Sequence, residues 1–79
     1  MVYLEFVSDD GSWVTYDYMP EKRDASRGTI AVNRETGERR LLKRSPAGEL
    51  SAYYSHAWRR VEEMIEDGVL KHEAYSAWH

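Results

Sequence analysis

Apolar residues between positions 50 and 65 recur at helical spacing. At about 100° per residue, Leu50, Tyr53, Tyr54, Ala57, Trp58, Val61, Met64 and Ile65 share an arc of roughly 140°. Ser51, Ser55, His56, Arg59, Arg60, Glu62, Glu63, Glu66 and Asp67 fill the other side, with Ala52 its one apolar member. The pattern predicts an amphipathic helix over 49–67 with one face committed to a core. Upstream the period drops to two. Val2 to Val7 sets Val2, Leu4 and Phe6 against Tyr3, Glu5 and Val7. Trp13 to Tyr18 sets Val14, Tyr16 and Tyr18 against Trp13, Thr15 and Asp17, and Gly28 to Asn33 sets Ile30 and Val32 against Thr29 and Ala31. Each is the alternation of a half-buried strand. Glu38 to Lys43 reads as a returning strand in which Leu41 or Leu42 must face inward, and its heavy charge suits a sheet edge.

The breaks between these runs carry turn chemistry. Asp10-Gly11 tolerates the positive φ of a tight hairpin, and Asn33 to Gly37 predicts a type I turn closed by a left-handed glycine. Met19-Pro20 ends the second strand, because proline has no N–H for a ladder, and the charged connection 21–27 is predicted as the mobile loop. Ser45-Pro46 suits a helix start, weakened by Gly48, with Ser51 offering a later one. Gly68 suits a left-handed C-cap with Val69 folding back on the last turn. The acids Glu62, Glu63, Glu66 and Asp67 oppose the helix dipole, and folding alone does not account for them. The tail 69–79 holds Val69, Leu70, Tyr75 and Trp78 and is expected to dock on the sheet or the helix. The fold class is therefore α+β: an antiparallel meander of three to four strands (2–7, 13–18, 28–33, 38–43), the sheet spanning 2–43, packed on one C-terminal helix. Inward candidates are Leu4, Phe6, Val14, Tyr16, Ile30, Val32, Leu41, Tyr54, Ala57, Val61 and Ile65.

Seventy-nine residues predict one domain, 1–79, burying only about 60% of the unfolded surface. Six Tyr, three Trp and one Phe offset this with large rings, so an aromatic-rich core is expected. The absence of cysteine excludes disulfides, thiolate metal sites and Cys nucleophiles. With no basic start and apolar run at Met1 to Glu5, and no stretch near the roughly 18 apolar residues of a membrane span, a soluble cytoplasmic protein is expected and no membrane partner. The net charge of −3 is unevenly placed. Residues 1–19 hold Glu5, Asp9, Asp10 and Asp17 and no base. Residues 20–45 hold Lys22, Arg23, Arg27, Arg34, Arg39, Arg40, Lys43 and Arg44 against Glu21, Asp24, Glu35 and Glu38, and the remainder is again acidic. Internal charge matching explains this division better than a basic patch, since nucleic acid repels an acidic chain at long range.

The strings Tyr18-Met19-Pro20-Glu21, Gly28-Thr29-Ile30-Ala31-Val32-Asn33 with Thr36-Gly37-Glu38, Tyr54 with His56-Ala57, Val61-Glu62, Gly68 and Trp78 cover most of the chain. In these the sequence resembles a group of small uncharacterised bacterial and phage-associated proteins. The resemblance implies a stand-alone domain and a bacterial source. It brings no activity and no site residue.

No reaction is written in the sequence. His56 is alone on the helix's polar face, and His72-Glu73 and His79 lie in the tail without metal-site spacing, so neither a metal nor a cofactor is expected. Asp9, Asp10 and Asp17 near the first hairpin and Glu62 and Glu66 on the helix would need a cleft to act as paired carboxylates, and so small a domain has little room for one. A non-enzymatic interaction module is expected, binding a protein partner or itself through a surplus of rings at Tyr3, Trp13, Tyr53, Tyr75 and Trp78. The same rings would otherwise complete a small core. The alternative is a nucleic-acid-binding domain in which Lys22, Arg23, Arg27, Arg34, Arg39, Arg40, Lys43 and Arg44 track phosphates and Trp13 or Tyr16 stacks on a base. Against it, alternation sends Arg39 and Arg40 to opposite faces.

Overall fold

A computed structural model describes residues 1–21, 27–46 and 51–77, with backbone alone at 51 and 52. The charged connection from 22 to 26, the helix approach from 47 to 50, Trp78 and His79 lie outside the described residues.

Four strands form the expected meander: β1 (Val2–Asp9), β2 (Trp13–Pro20), β3 (Gly28–Asn33) and β4 (Arg39–Lys43), followed by α1 (Ser51–Asp67). The turns close as their residues dictate. Gly11 has φ +95°, and the carboxylates of Asp9 and Asp10 accept the N–H groups of Gly11, Ser12 and Trp13 at 2.7 to 3.0 Å. In the β3–β4 loop the Asn33 side-chain oxygen accepts from Glu35 and Thr36, and Gly37 sits at φ +75°. At the end of α1, Gly68 adopts φ +77°. Its N–H donates to the Ile65 carbonyl and that of Val69 to Met64, both at 3.1 Å, which is a Schellman cap. The Val69 side chain itself is exposed.

The tail docks on the sheet, and it does so as a strand. Glu73–Ser76 forms a fifth strand, β5, antiparallel to β1, and the sheet order is β4-β3-β2-β1-β5. The physical cause is the meander itself, which leaves the outer edge of β1 unpaired. The helix runs back over the sheet and delivers the chain to that edge, where Ala74 stands opposite Leu4.

One face of the sheet meets α1. Val2, Leu4, Val14, Tyr16, Tyr18, Ile30, Val32 and Ala74 are buried against Ala57, Val61 and Met64. Phe6, Leu41, Tyr53, Tyr54, Trp58, Ile65 and Leu70 pack around them. Leu41 faces inward opposite the core residue Ile30, and Leu42, skipped by the register between Leu41 and Lys43, is exposed. Two phenols buried in this core are satisfied: Tyr16 Oη donates to the Lys71 carbonyl at 2.6 Å, and Tyr18 Oη accepts the Ser45 N–H at 2.9 Å. Burial raises the pKa of both. Ser45 is buried and its N–H is held by Tyr18, while the residues on which its expected helix cap would act, 47–50, lie outside the described residues.

Candidate protein-interaction surface

Among the described residues, the second face of the sheet carries no helix, and strand register arranges its side chains in rows. Tyr3 lies opposite Met19 on one side and Tyr75 on the other. The next row runs Lys43, Thr29, Asp17, Glu5, Glu73 across all five strands. Arg40 lies opposite Ala31, which lies opposite Thr15, and Trp13 closes the far end opposite Asn33.

Each row has a distinct chemistry. The Tyr3 and Tyr75 rings are 5.9 Å apart between centroids and tilted by 35°. Beside them is a hollow of about 410 Å³ lined by Tyr3, Leu4, Glu5, Met19, Glu73, Ala74 and Tyr75. Tyr75 keeps 59% of its surface exposed although it is one of the larger side chains of the molecule. In the carboxylate row, Arg27 Nη1 reaches Asp17 Oδ2 at 2.7 Å and Glu5 Oε1 at 3.3 Å, and Thr29 Oγ1 donates to Asp17 Oδ1 at 2.8 Å. At the far end the Arg40 guanidinium lies 4.2 Å from the centre of the Trp13 ring and bonds Glu38 at 3.0 Å.

The ring residues expected at an interface therefore separate. Tyr3 and Tyr75 come together at one end of the open face, and Trp13 lies at the other under Arg40. Tyr53 is on the helix, packed against the core, with its hydroxyl on Glu21 at 3.2 Å. Trp78 is outside the described residues.

The basic residues separate as well, and most of the described arginines meet acids. Arg34 pairs with Asp9, and Arg39 grips Glu62 with two bonds at 2.7 and 2.9 Å. Arg27 is held by Asp17 and Glu5, and Arg40 by Glu38. Arg44 lies 5.9 Å from the Tyr54 ring centre, while Lys22 and Arg23 are outside the described residues. Arg39 lies on the helix side of β4 and Arg40 on the open side. Direct bonds to Arg34 and to the Gly11 N–H hold the Asp9 carboxyl below its ordinary value, and the Arg39 bonds do the same for Glu62. The Glu62 pair explains part of the acidity near the helix end that sequence alone left without a reason.

A second hollow, also about 410 Å³, lies on the polar face of α1 between Arg39, Ser55, His56, Arg59 and Glu62. The Arg39–Glu62 pair is part of its lining. Among the described residues, no group of three or more His, Cys, Asp or Glu could hold a metal ion, and no helix is long and apolar enough to cross a membrane.

Sequence reasoning missed Met19, Glu5 and Glu73 as members of this surface. The signal was present as alternation in Glu73-Ala74-Tyr75-Ser76, which places Glu73 and Tyr75 on one side once the segment is taken as a strand. Comparison of the chain with protein-family models, with curated proteins and with solved structures finds no significant match.

Proposed function

We propose that this is a non-enzymatic interaction module whose open sheet face, at its β1–β5 end, receives a protein partner. The observation that carries the reading is Tyr75, a large ring left mostly in water beside Tyr3 and over a hollow at the sheet margin. Tyrosine is enriched at interfaces because its ring offers apolar area at small entropic loss while its hydroxyl tolerates water. The helix-facing side of the sheet is filled by packing, which favours binding over catalysis. A bacterial source belongs to the same proposal and rests on the resemblance described for the sequence, and a cytoplasmic setting rests on the hydropathy pattern described there.

The nucleic-acid alternative loses ground to the ion pairs. Arginines already bonded to carboxylates must break those bonds to reach phosphates, and Arg39 and Arg40 point to opposite sides. The deciding experiment is affinity capture from the native host, with and without nuclease, using the wild type and Tyr75→Asp, each first shown to be folded by its melting curve. The expected result is a protein retained after nuclease treatment and lost with Tyr75→Asp. Capture that vanishes with nuclease, or that is indifferent to Tyr75→Asp, overturns the reading.

A further inference from the structure

The hydrogen-bond phase of β5 fixes which of its groups face outward. The Phe6 N–H donates to the His72 carbonyl at 2.8 Å. In an antiparallel ladder, pairs that exchange hydrogen bonds alternate with pairs that do not. With Phe6 and His72 bonded, Leu4 and Ala74 form the next bonded pair, and Glu5–Glu73 and Tyr3–Tyr75 fall between. The N–H and C=O groups of Glu73 and Tyr75 therefore point away from β1, off the edge of the sheet. Arg60 Nε approaches the Tyr75 carbonyl from outside at 3.2 Å, as this phase requires. Among the described residues, no strand lies beyond β5.

The side chains at the same edge show an imbalance of charge. Glu5 and Glu73 stand directly opposite in a pair of the non-bonded kind, where side chains are closest and like charges destabilise. Asp17 extends the row on β2. Arg27 bridges Asp17 and Glu5, and Glu73 stands one strand further out. A cation arriving beyond β5 would complete the row. Two residues along, Tyr75 and the hollow beside it offer apolar surface to a neighbouring side chain.

We infer that the partner is an extended segment added as a sixth strand along β5, with an arginine or lysine opposite Glu73 and an aromatic or aliphatic residue opposite Tyr75. Spacing of two between these residues follows from the strand period, and the backbone bonds come from the outward N–H and C=O of Glu73 and the outward N–H of Tyr75, while the Tyr75 carbonyl must first release Arg60 to join the ladder. The inference rests on the protein-binding reading of the same surface and adds the partner's conformation and charge.

The test uses the full chain, isotope-labelled, titrated with the acetylated and amidated peptide Thr-Val-Tyr-Val-Arg-Val-Thr, whose Tyr precedes its Arg as antiparallel pairing with Glu73 and Tyr75 requires, and followed by amide chemical shifts. Two controls replace its Arg by Glu, or N-methylate its Arg and Tyr amides, which face β5 in antiparallel pairing. The expected result is shifts centred on β5 and β1, with affinity for either control weaker by about tenfold or more. Glu73→Lys, on the exposed side of β5, should melt no lower than the wild type, since it replaces the opposed charge of Glu5 by an opposite one, and should reverse the preference in favour of the Glu peptide. Equal affinity for the Arg and Glu peptides, no response to Glu73→Lys, or no shifts up to millimolar peptide overturns the inference. Sedimentation equilibrium showing a dimer that Tyr75→Asp dissociates would identify the occupant as a second copy and also overturn it. If host capture is lost with Tyr75→Asp yet unaffected by Glu73→Lys, the cationic strand is wrong while the protein-binding surface stands.

Discussion

Gly28 has no side chain because the Tyr18 ring takes its place. A Cβ built at Gly28 would lie 2.4 Å from Tyr18 Cε1 and 2.7 Å from the Lys43 carbonyl oxygen, so either the ring or the β4 backbone must move. Tyr18 is not free to turn away, since its hydroxyl is the acceptor for the buried Ser45 N–H. Gly28→Ala is expected to destabilise by about 1 to 3 kcal/mol, the usual penalty of overpacking. Urea denaturation at 25 °C measures it, and an unchanged midpoint would show that Tyr18 can repack. This close approach was not legible in the sequence: Gly28 read only as the start of a strand, and a ring reaching across from the paired strand leaves no local signature. The positive-φ glycines at 11, 37 and 68 were legible, because their requirement is local.

At the scale of the element, β5 is both the sheet's last strand and the cover for β1. Ala74 is buried opposite Leu4, whereas Glu73 on the same strand is exposed. Ala74→Asp places a carboxylate among apolar groups and is expected to cost at least about 2 kcal/mol. It should also loosen β5 and leave β1 as an open template for other chains, seen as concentration-dependent scattering below the melting temperature. Glu73→Gln should do neither, and by relieving the opposed charge of Glu5 it should stabilise by a few tenths of a kcal/mol up to about 1 kcal/mol. Equal melting of the two variants would mean that β5 contributes nothing to the fold. The helix was legible from its apolar stripe because a period of 3.6 over 17 residues has no competing explanation. The four-residue β5 was not, because so short an alternation needs a waiting edge before it forms a strand.

At the scale of the molecule, ion pairs join segments far apart in sequence. Asp9 with Arg34 ties the first hairpin to the second, and Glu62 with Arg39 ties the helix to the edge strand β4. Asp9 and Glu62 both have carboxyl pKa values lowered in the fold, chiefly by bonds to their arginines, and Asp10 is lowered by the N–H groups of Trp13 and Ser12. A carboxyl lowered on folding stabilises at pH above its unfolded value, here 3.8 for Asp and 4.5 for Glu, and that contribution disappears as pH falls through the lowered folded value. Melting temperature should therefore hold from neutral pH to about 5 and fall on further acidification. Arg39→Gln should make the fall shallower, and an identical slope in this variant would show that its pair with Glu62 does not contribute. The sequence by itself determined the periods, the turns and the uneven charge, because these depend on neighbours within a few residues. Only the tertiary structure decided which acid meets which arginine, that the tail becomes a fifth strand, and that Tyr3, Tyr75, Glu5 and Glu73 share one margin. Register across strands distant in sequence is set by how the helix returns the chain to β1, and no local pattern contains that distance.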